Sequence, residues 1–158
     1  MIRTLTRLLL PPFICLSAAT ALAADPGSAS TREQTLAVAE RGFVHFKSGL
    51  ATGQWQPLLE LLGDDFVFYF PQGKYRGRHE GRAKAEEFFN YVSATFVGGL
   101  TITERYRVTA GESTVVFEFT DVGKLRGEPY QGRVALSWDI RGDKIVAYRE
   151  YFGGSGLP

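Results

Sequence analysis

The chain has 158 residues, with 18 basic and 17 acidic side chains and a formal charge of +1, a balance that leaves no basic surplus for a nucleic-acid backbone. Its only Cys is Cys15 and its only Met is Met1, so beyond the first residues there is no thiol for a disulfide, for thiol catalysis or for metal ligation. The 12 Phe, 7 Tyr and 2 Trp predict an aromatic core instead.

At the start of the chain, Arg3 and Arg7 precede an apolar run from Leu8 to Ala19, followed by the small-x-small pattern Ala21-Leu22-Ala23. This is the layout of a secretory signal peptide, residues 1–23, cut after Ala23. The apolar run falls short of the roughly 20 residues of a membrane span and is broken by Pro11 and Pro12. Pro12, Phe13 and Ile14 before Cys15 are not the small residues of a lipid-attachment site. The expectation is therefore a periplasmic or secreted protein with no stable membrane insertion after cleavage. Losing Arg3 and Arg7 takes the formal charge from +1 to −1. The remaining residues suffice for one domain that buries about two-thirds of its unfolded surface.

Residues 24–31 open with the polar stretch "ADPGSA" and predict a flexible leader to a domain spanning 32–153, with 154–158 as a short tail. Ser30 and Glu33 have capping-box spacing, and Leu36, Ala39, Phe43, Phe46 and Leu50 then recur at helical intervals. "GQWQPLLELLGDD" predicts a short second helix ending near Gly63, since Pro57 suits a first turn and glycine a C-terminal cap. The aromatic run "DFVFYFP" predicts a strand stopped by Pro71, and "QGKYRGRHEG" a loop. Ala85, Phe88, Phe89, Val92 and Phe96 mark a third amphipathic helix.

After Gly98 and Gly99 the period becomes two, through "LTITERYRVTA", "STVVFEFTDV", "YQGRVALSWDI" and "KIVAYREYF". The short turns between these segments require antiparallel pairing. Helices first and a meander last give an α+β domain with the helices on one face of a bent sheet. In "YQGRVALSWDI" Tyr130, Val134, Leu136, Trp138 and Ile140 form the apolar set, which therefore faces the helices. In "KIVAYREYF" both alternating sets mix apolar residues with a charge, so periodicity leaves open whether Glu150 or Arg149 points inward.

The order helix, helix, strand, helix, then four strands resembles the nuclear transport factor 2-like superfamily. The stretch "GQWQPLLELLGDDFVFYFP", the glycine-spaced run of Tyr75, Gly77 and Gly81, and the terminal "DIRGDKIVAYREYF" are similar to its SnoaL-like branch. The resemblance covers roughly Arg32 to Phe152. It implies a cone-shaped fold of three N-terminal helices on a strongly bent, mainly antiparallel sheet, with a pocket between the concave face and the helices. Relatives of this kind include isomerases, epoxide hydrolases, polyketide cyclases and binding proteins, so the fold alone does not name an activity.

Compared with ketosteroid isomerases, Phe70, Phe46 and Leu136 stand where a carboxylate base, a tyrosine and a carboxylic acid would be needed, and hydrocarbon cannot move a proton. The comparison with limonene epoxide hydrolases implies Arg105 as the retained arginine and Glu150 as a retained carboxylate. There Arg107 occupies the place of a second acid and Tyr69 that of a water-holding amide. The implied catalytic pair is thus Glu150 with Arg105. The implied ligand-binding set is Tyr69, Phe70, Arg107, Leu136, Trp138, Tyr148 and Phe152.

Two arginines at the polar end would suit a small, largely apolar ligand with a polar or anionic head. Three readings follow: a ligand-binding protein, a hydrolase, isomerase or cyclase with Glu150 as general base, and a dimeric interaction module using the outer sheet face. A general base would have a raised pKa and an open path to ligand, whereas a structural Glu150 would be closed off by Arg105 or Arg107. No cofactor and no metal is expected, because no histidine pair has ligand spacing and Asp64 and Asp65 suit a turn. His45 reads as an edge residue of the first helix. His79 reads as a helix-start residue in a basic loop that opens beside the pocket.

Overall fold

The computed structural model describes residues 26–154; the expected signal peptide and most of the expected tail lie outside them. Helix α1 (Pro26–Thr52) begins before the capping-box spacing, so residues 26–31, expected as part of a flexible leader, belong to its first turns. A proline fits the first helical position because its missing N–H has no intrahelical acceptor there. The stripe Val38, Ala39, Phe43, Phe46 and Leu50 is buried. Thr35 Oγ1 donates to Glu112 O at 2.6 Å, fastening the early turns of α1 to the turn at 111–113. Gly42 lets the helix lie directly on the sheet: a Cβ there would stand 2.7 Å from Ile145 Cδ1 and 2.8 Å from Trp138 Cζ3, well inside van der Waals contact.

Helix α2 (Gln56–Leu59) ends four residues short of the expected Gly63, because the chain enters its first strand at Leu62. Helix α3 (Arg82–Thr95) buries Ala85, Phe88 and Phe89. The sheet has six strands: β1 (Leu62–Phe70), β2 (Gly77–Glu80), β3 (Leu100–Ala110), β4 (Thr114–Leu125), β5 (Glu128–Arg141) and β6 (Lys144–Gly154). Their order is β2-β1-β6-β5-β4-β3. Every neighbouring pair is antiparallel except β1 with β6, which is parallel and closes the sequence separation between the first strand and the last.

Strand β2 lies in the stretch expected as a loop. Its four residues "GRHE" are too few and too polar for an alternation signal, yet they pair with Val67–Phe70 of β1. His79 sits on this strand rather than at a helix start. Its ring stacks on Phe68 at 4.8 Å between centroids and its Nε2 lies 3.0 Å from Tyr75 O, which makes it a packing residue.

Cross-strand register decides which residues share the helix-facing side. Val115, Phe117 and Phe119 of β4 stand opposite Trp138, Leu136 and Val134 of β5, which stand opposite Tyr148, Glu150 and Phe152 of β6. Directly opposed residues point to the same face. The inward set of β5 is thus the expected one. In β6 a register shift makes Val146 the extra residue, so Ile145 and Tyr148 both face the helices despite their odd spacing. Behind the sheet, Arg149 forks onto Asp139 at 2.6 and 2.9 Å and reaches Ser137, while Thr114 also donates to Asp139.

Candidate active site

The inward row of β4 continues past Phe119 to Asp121, opposite Gly132 of β5. There the core opens into a cavity of about 400 Å³ bounded by α3, the end of α1 and the β4–β5 hairpin. Phe46, Trp55, Phe70, Phe88, Phe89, Tyr91, Phe96 and Phe152 give it an aromatic wall. The polar side chains lining it include Asp121, Tyr130, Tyr148 and Glu150, with Arg126 and Gln72 as well. A mostly apolar hollow with a few converging polar groups is the usual form of a small-molecule site.

Two carboxyl groups in such a wall lose hydration, and both respond. Burial, with a smaller contribution from Asp121, pushes Glu150 up to about 7, although an O–H donated by Tyr148 opposes the shift. Burial pushes Asp121 up to about 6, partly offset by backbone N–H groups of Gly132 and of Asp121 itself. Its Oδ1 is buried without a hydrogen-bond partner. Tyr148 and Tyr130 are held above the usual phenol value, first by burial and then by the two acids. The four groups therefore share one electrostatic environment.

Gly132 keeps this cluster open. A Cβ at that position would overlap both Asp121 Oδ1 and Tyr130 Oη, so the two oxygens are neighbours across a backbone that carries no side chain. The Tyr130 ring is set by an edge contact with Phe96, at 5.0 Å between centroids. Among the described residues, neither carboxyl has an ion-pair partner.

Of the residues expected at the site, Phe70, Tyr148, Glu150 and Phe152 line the cavity. The others do not. Arg105 bonds Glu40 of α1 at 2.6 Å and lies over the rings of Phe43 and Phe117, at 5.4 and 5.9 Å, so it covers the edge of the core instead of facing Glu150. A register shift between Arg105 and Arg107 turns Arg107 to the other side, 3.4 Å from Glu118. The expected meeting of Glu150 with either arginine does not occur. Leu136 and Trp138 are packed in the core, where Trp138 meets Phe46 edge-on. Tyr69 is on the outer side, accepting a hydrogen bond from Arg78 at 3.1 Å.

Asp121 and Tyr130, like Gln72 and Arg126, are polar lining residues that sequence reasoning did not place at a site. A signal was present in "STVVFEFTDV", where the inward set Val115, Phe117, Phe119 ends on an acid. An aspartate continuing an apolar alternation is aimed at the interior, and only a site or a buried partner makes that tolerable.

The family model described as the SnoaL-like domain matches residues 22–148. No curated protein matches the chain. Among solved structures, a nuclear transport factor 2-like protein from Anabaena variabilis ATCC 29413 is 48% identical, with a TM-score of 0.76, covering 86% of this chain and 98% of that one. An epoxide hydrolase from M. tuberculosis, described as like limonene epoxide hydrolase, shares the fold at 20% identity and a TM-score of 0.58, covering 74% of this chain and 84% of that one. Bal32a, from a soil-derived mobile gene cassette, is similar at 18% identity and a TM-score of 0.66, over 77% and 91% of the two chains. With its model matched over most of its length and a relative nearly half identical, this chain belongs to the SnoaL-like domain family of nuclear transport factor 2-like folds.

Proposed function

We propose that the protein is an acid–base enzyme acting on a small, largely apolar molecule, with Glu150 and Asp121 as its proton-handling pair. The observation that carries this is the presence of two carboxyl groups on one apolar cavity, both raised toward neutrality and neither neutralised by a cation. A structural ion pair would have lowered them, as Arg149 lowers Asp139 on the opposite face.

Two coupled acids lose their protons in steps that belong to the pair, so near neutral pH one is a carboxylate while the other holds a proton. The two proton affinities assign the roles. Glu150, at about 7, holds the proton near neutral pH more than Asp121 does, and the O–H that Tyr148 donates steadies the carboxylate left when that proton passes to a developing oxyanion. Asp121, at about 6, is the more readily ionised, and its Oδ1, without a hydrogen-bond partner and beside Tyr130, takes the proton from the substrate or from water. Proton abstraction beside a carbonyl, or water activation with protonation of a leaving oxygen, both use this arrangement. The second matches the activity named for the epoxide hydrolase relative. The polar head of the ligand at this end of the cavity is uncharged, since an anion would be repelled by two acids. The N-terminal pattern of residues 1–23 supports action outside the cytoplasm.

The test is capture and turnover. Wild type and the Glu150→Gln variant are incubated with a metabolite extract, and compounds released on denaturation are identified by mass spectrometry. The expected result is a compound that the variant retains unchanged and wild type converts. A compound bound unaltered by both proteins would make the cavity a binding site and overturn the acid–base reading.

A further inference from the structure

We propose that Arg126, at the tip of the β4–β5 hairpin, is a specificity residue that receives a carboxylate at the mouth of the cavity. On this view the substrate is an apolar molecule with an acid at one end and its uncharged reactive group at the other. The inference rests on the ligand-binding part of the proposed function.

Three observations meet at this residue. Arg126 is the cationic residue among those lining the cavity, and among the described residues it has no ion-pair partner. Glu128 stands two residues on in the same hairpin without pairing with it. The Arg126 backbone has φ +53°, a left-handed conformation that turns usually give to Gly, Asn or Asp, so keeping an arginine there is locally unfavourable. Its N–H also donates to Thr95 O at 3.3 Å, which docks the hairpin tip on the end of α3 and fixes where the guanidinium begins. An unfavourable residue held in place at a pocket rim, with its charge uncommitted, points to a ligand.

The surroundings favour an anion. Lys74 stands over the ring of Tyr91, another lining residue, at 5.6 Å and adds positive potential beside the cavity. Asp121 lies within β4 opposite Gly132, and Glu150 on the neighbouring β6, whereas Arg126 is beyond the Leu125–Glu128 pair at the hairpin tip, so the acids and the cation of this cavity are separated along the hairpin. A guanidinium is matched geometrically to a carboxylate through two parallel N–H bonds. A doubly ended ligand would thus enter in one orientation.

The experiment compares sodium decanoate with decanol as competitors for a bound anilinonaphthalenesulfonate probe, in wild type, Arg126→Asn and Arg126→Lys. Asn tolerates the left-handed backbone, so the turn is preserved. Decanoate should bind wild type at least tenfold more tightly than decanol, lose that advantage in Arg126→Asn and regain part of it in Arg126→Lys, with decanol unchanged throughout. Decanol binding without any preference for decanoate, or equal weakening of both in Arg126→Asn, would overturn the role of Arg126 and leave the acid–base reading standing. Failure of both molecules to bind wild type would overturn the cavity as a ligand site, and this inference with it.

Discussion

Glu150 is informative because its neighbours separate the effects that set a carboxyl group's proton affinity. Desolvation raises it, Asp121 raises it further, and the Tyr148 hydroxyl pulls the other way. Removing the hydroxyl in Tyr148→Phe therefore raises Glu150 above its value of about 7, and the pH dependence of turnover should shift to higher pH on the limb that Glu150 sets. Replacing either acid by its amide removes a proton carrier without changing shape. Glu150→Gln and Asp121→Asn should each lower kcat/KM by about 10²- to 10⁴-fold, measured by steady-state kinetics on the captured substrate. Loss of less than tenfold in both would place the chemistry elsewhere. Stability should respond in the opposite sense. Both acids bind protons more tightly in the folded state, with values of about 7 and 6 against ordinary values of 4.5 and 3.8. Their contribution is greatest below about pH 4 and is lost as pH rises through 7, on the order of 3 kcal/mol per group at most. The melting temperature of Glu150→Gln relative to wild type should therefore rise between pH 5 and pH 8.

The elements show how much of this was legible in the sequence. Helices α1 and α3 and the last four strands follow from clear periods, α2 follows from Pro57 at its first turn, and the inward face of β5 follows from its unbroken alternation of Val134, Leu136 and Trp138. Strand β2 escaped because four residues with two charges carry no period, and its existence depends on pairing with a segment ten residues earlier. The arginines, expected at the polar end through resemblance, part for a related reason. Strict alternation would keep Arg105 and Arg107 on one face, but the extra residue between them sends each to a different side, and irregular pairing is decided by the partner strand rather than by the strand itself. Of the cavity lining, Glu150, Tyr148, Phe70 and Phe152 were expected through resemblance, whereas Asp121 continues the inward row of β4 beyond Phe119 and stands out only where that row meets the cavity. Close contact between elements gives its own test. Gly42→Ala forces a methyl into Ile145 and Trp138 under α1 and should destabilise by about 1–3 kcal/mol in denaturant unfolding. Wild-type stability in that variant would mean that α1 does not lie on the sheet as described.

At the scale of the whole molecule, one face of the sheet carries the core and the site in series. Trp138, Phe117 and Phe46 fill the end under α1, and the same strands run on into the cavity, so packing at one end holds the geometry at the other. Outside, the Arg149–Asp139 pair with Ser137 and Thr114 ties the middle strands together without touching the site. This division is why an acid facing inward is chemically distinct from one facing outward. Arg149 holds Asp139 below the ordinary carboxylate range, while Asp121 and Glu150 lie above it. The most direct measurement is a carboxyl-carbon NMR titration of the protein labelled at Asp and Glu side chains, assigned with Asp121→Asn and Glu150→Gln. The account predicts two coupled resonances titrating near pH 6 to 7, each moving when the other acid is replaced, with Asp139 well below them. Two independent titrations at the ordinary values of 3.8 and 4.5 would contradict it, because the pair would then be fully ionised and have no proton to exchange at neutral pH.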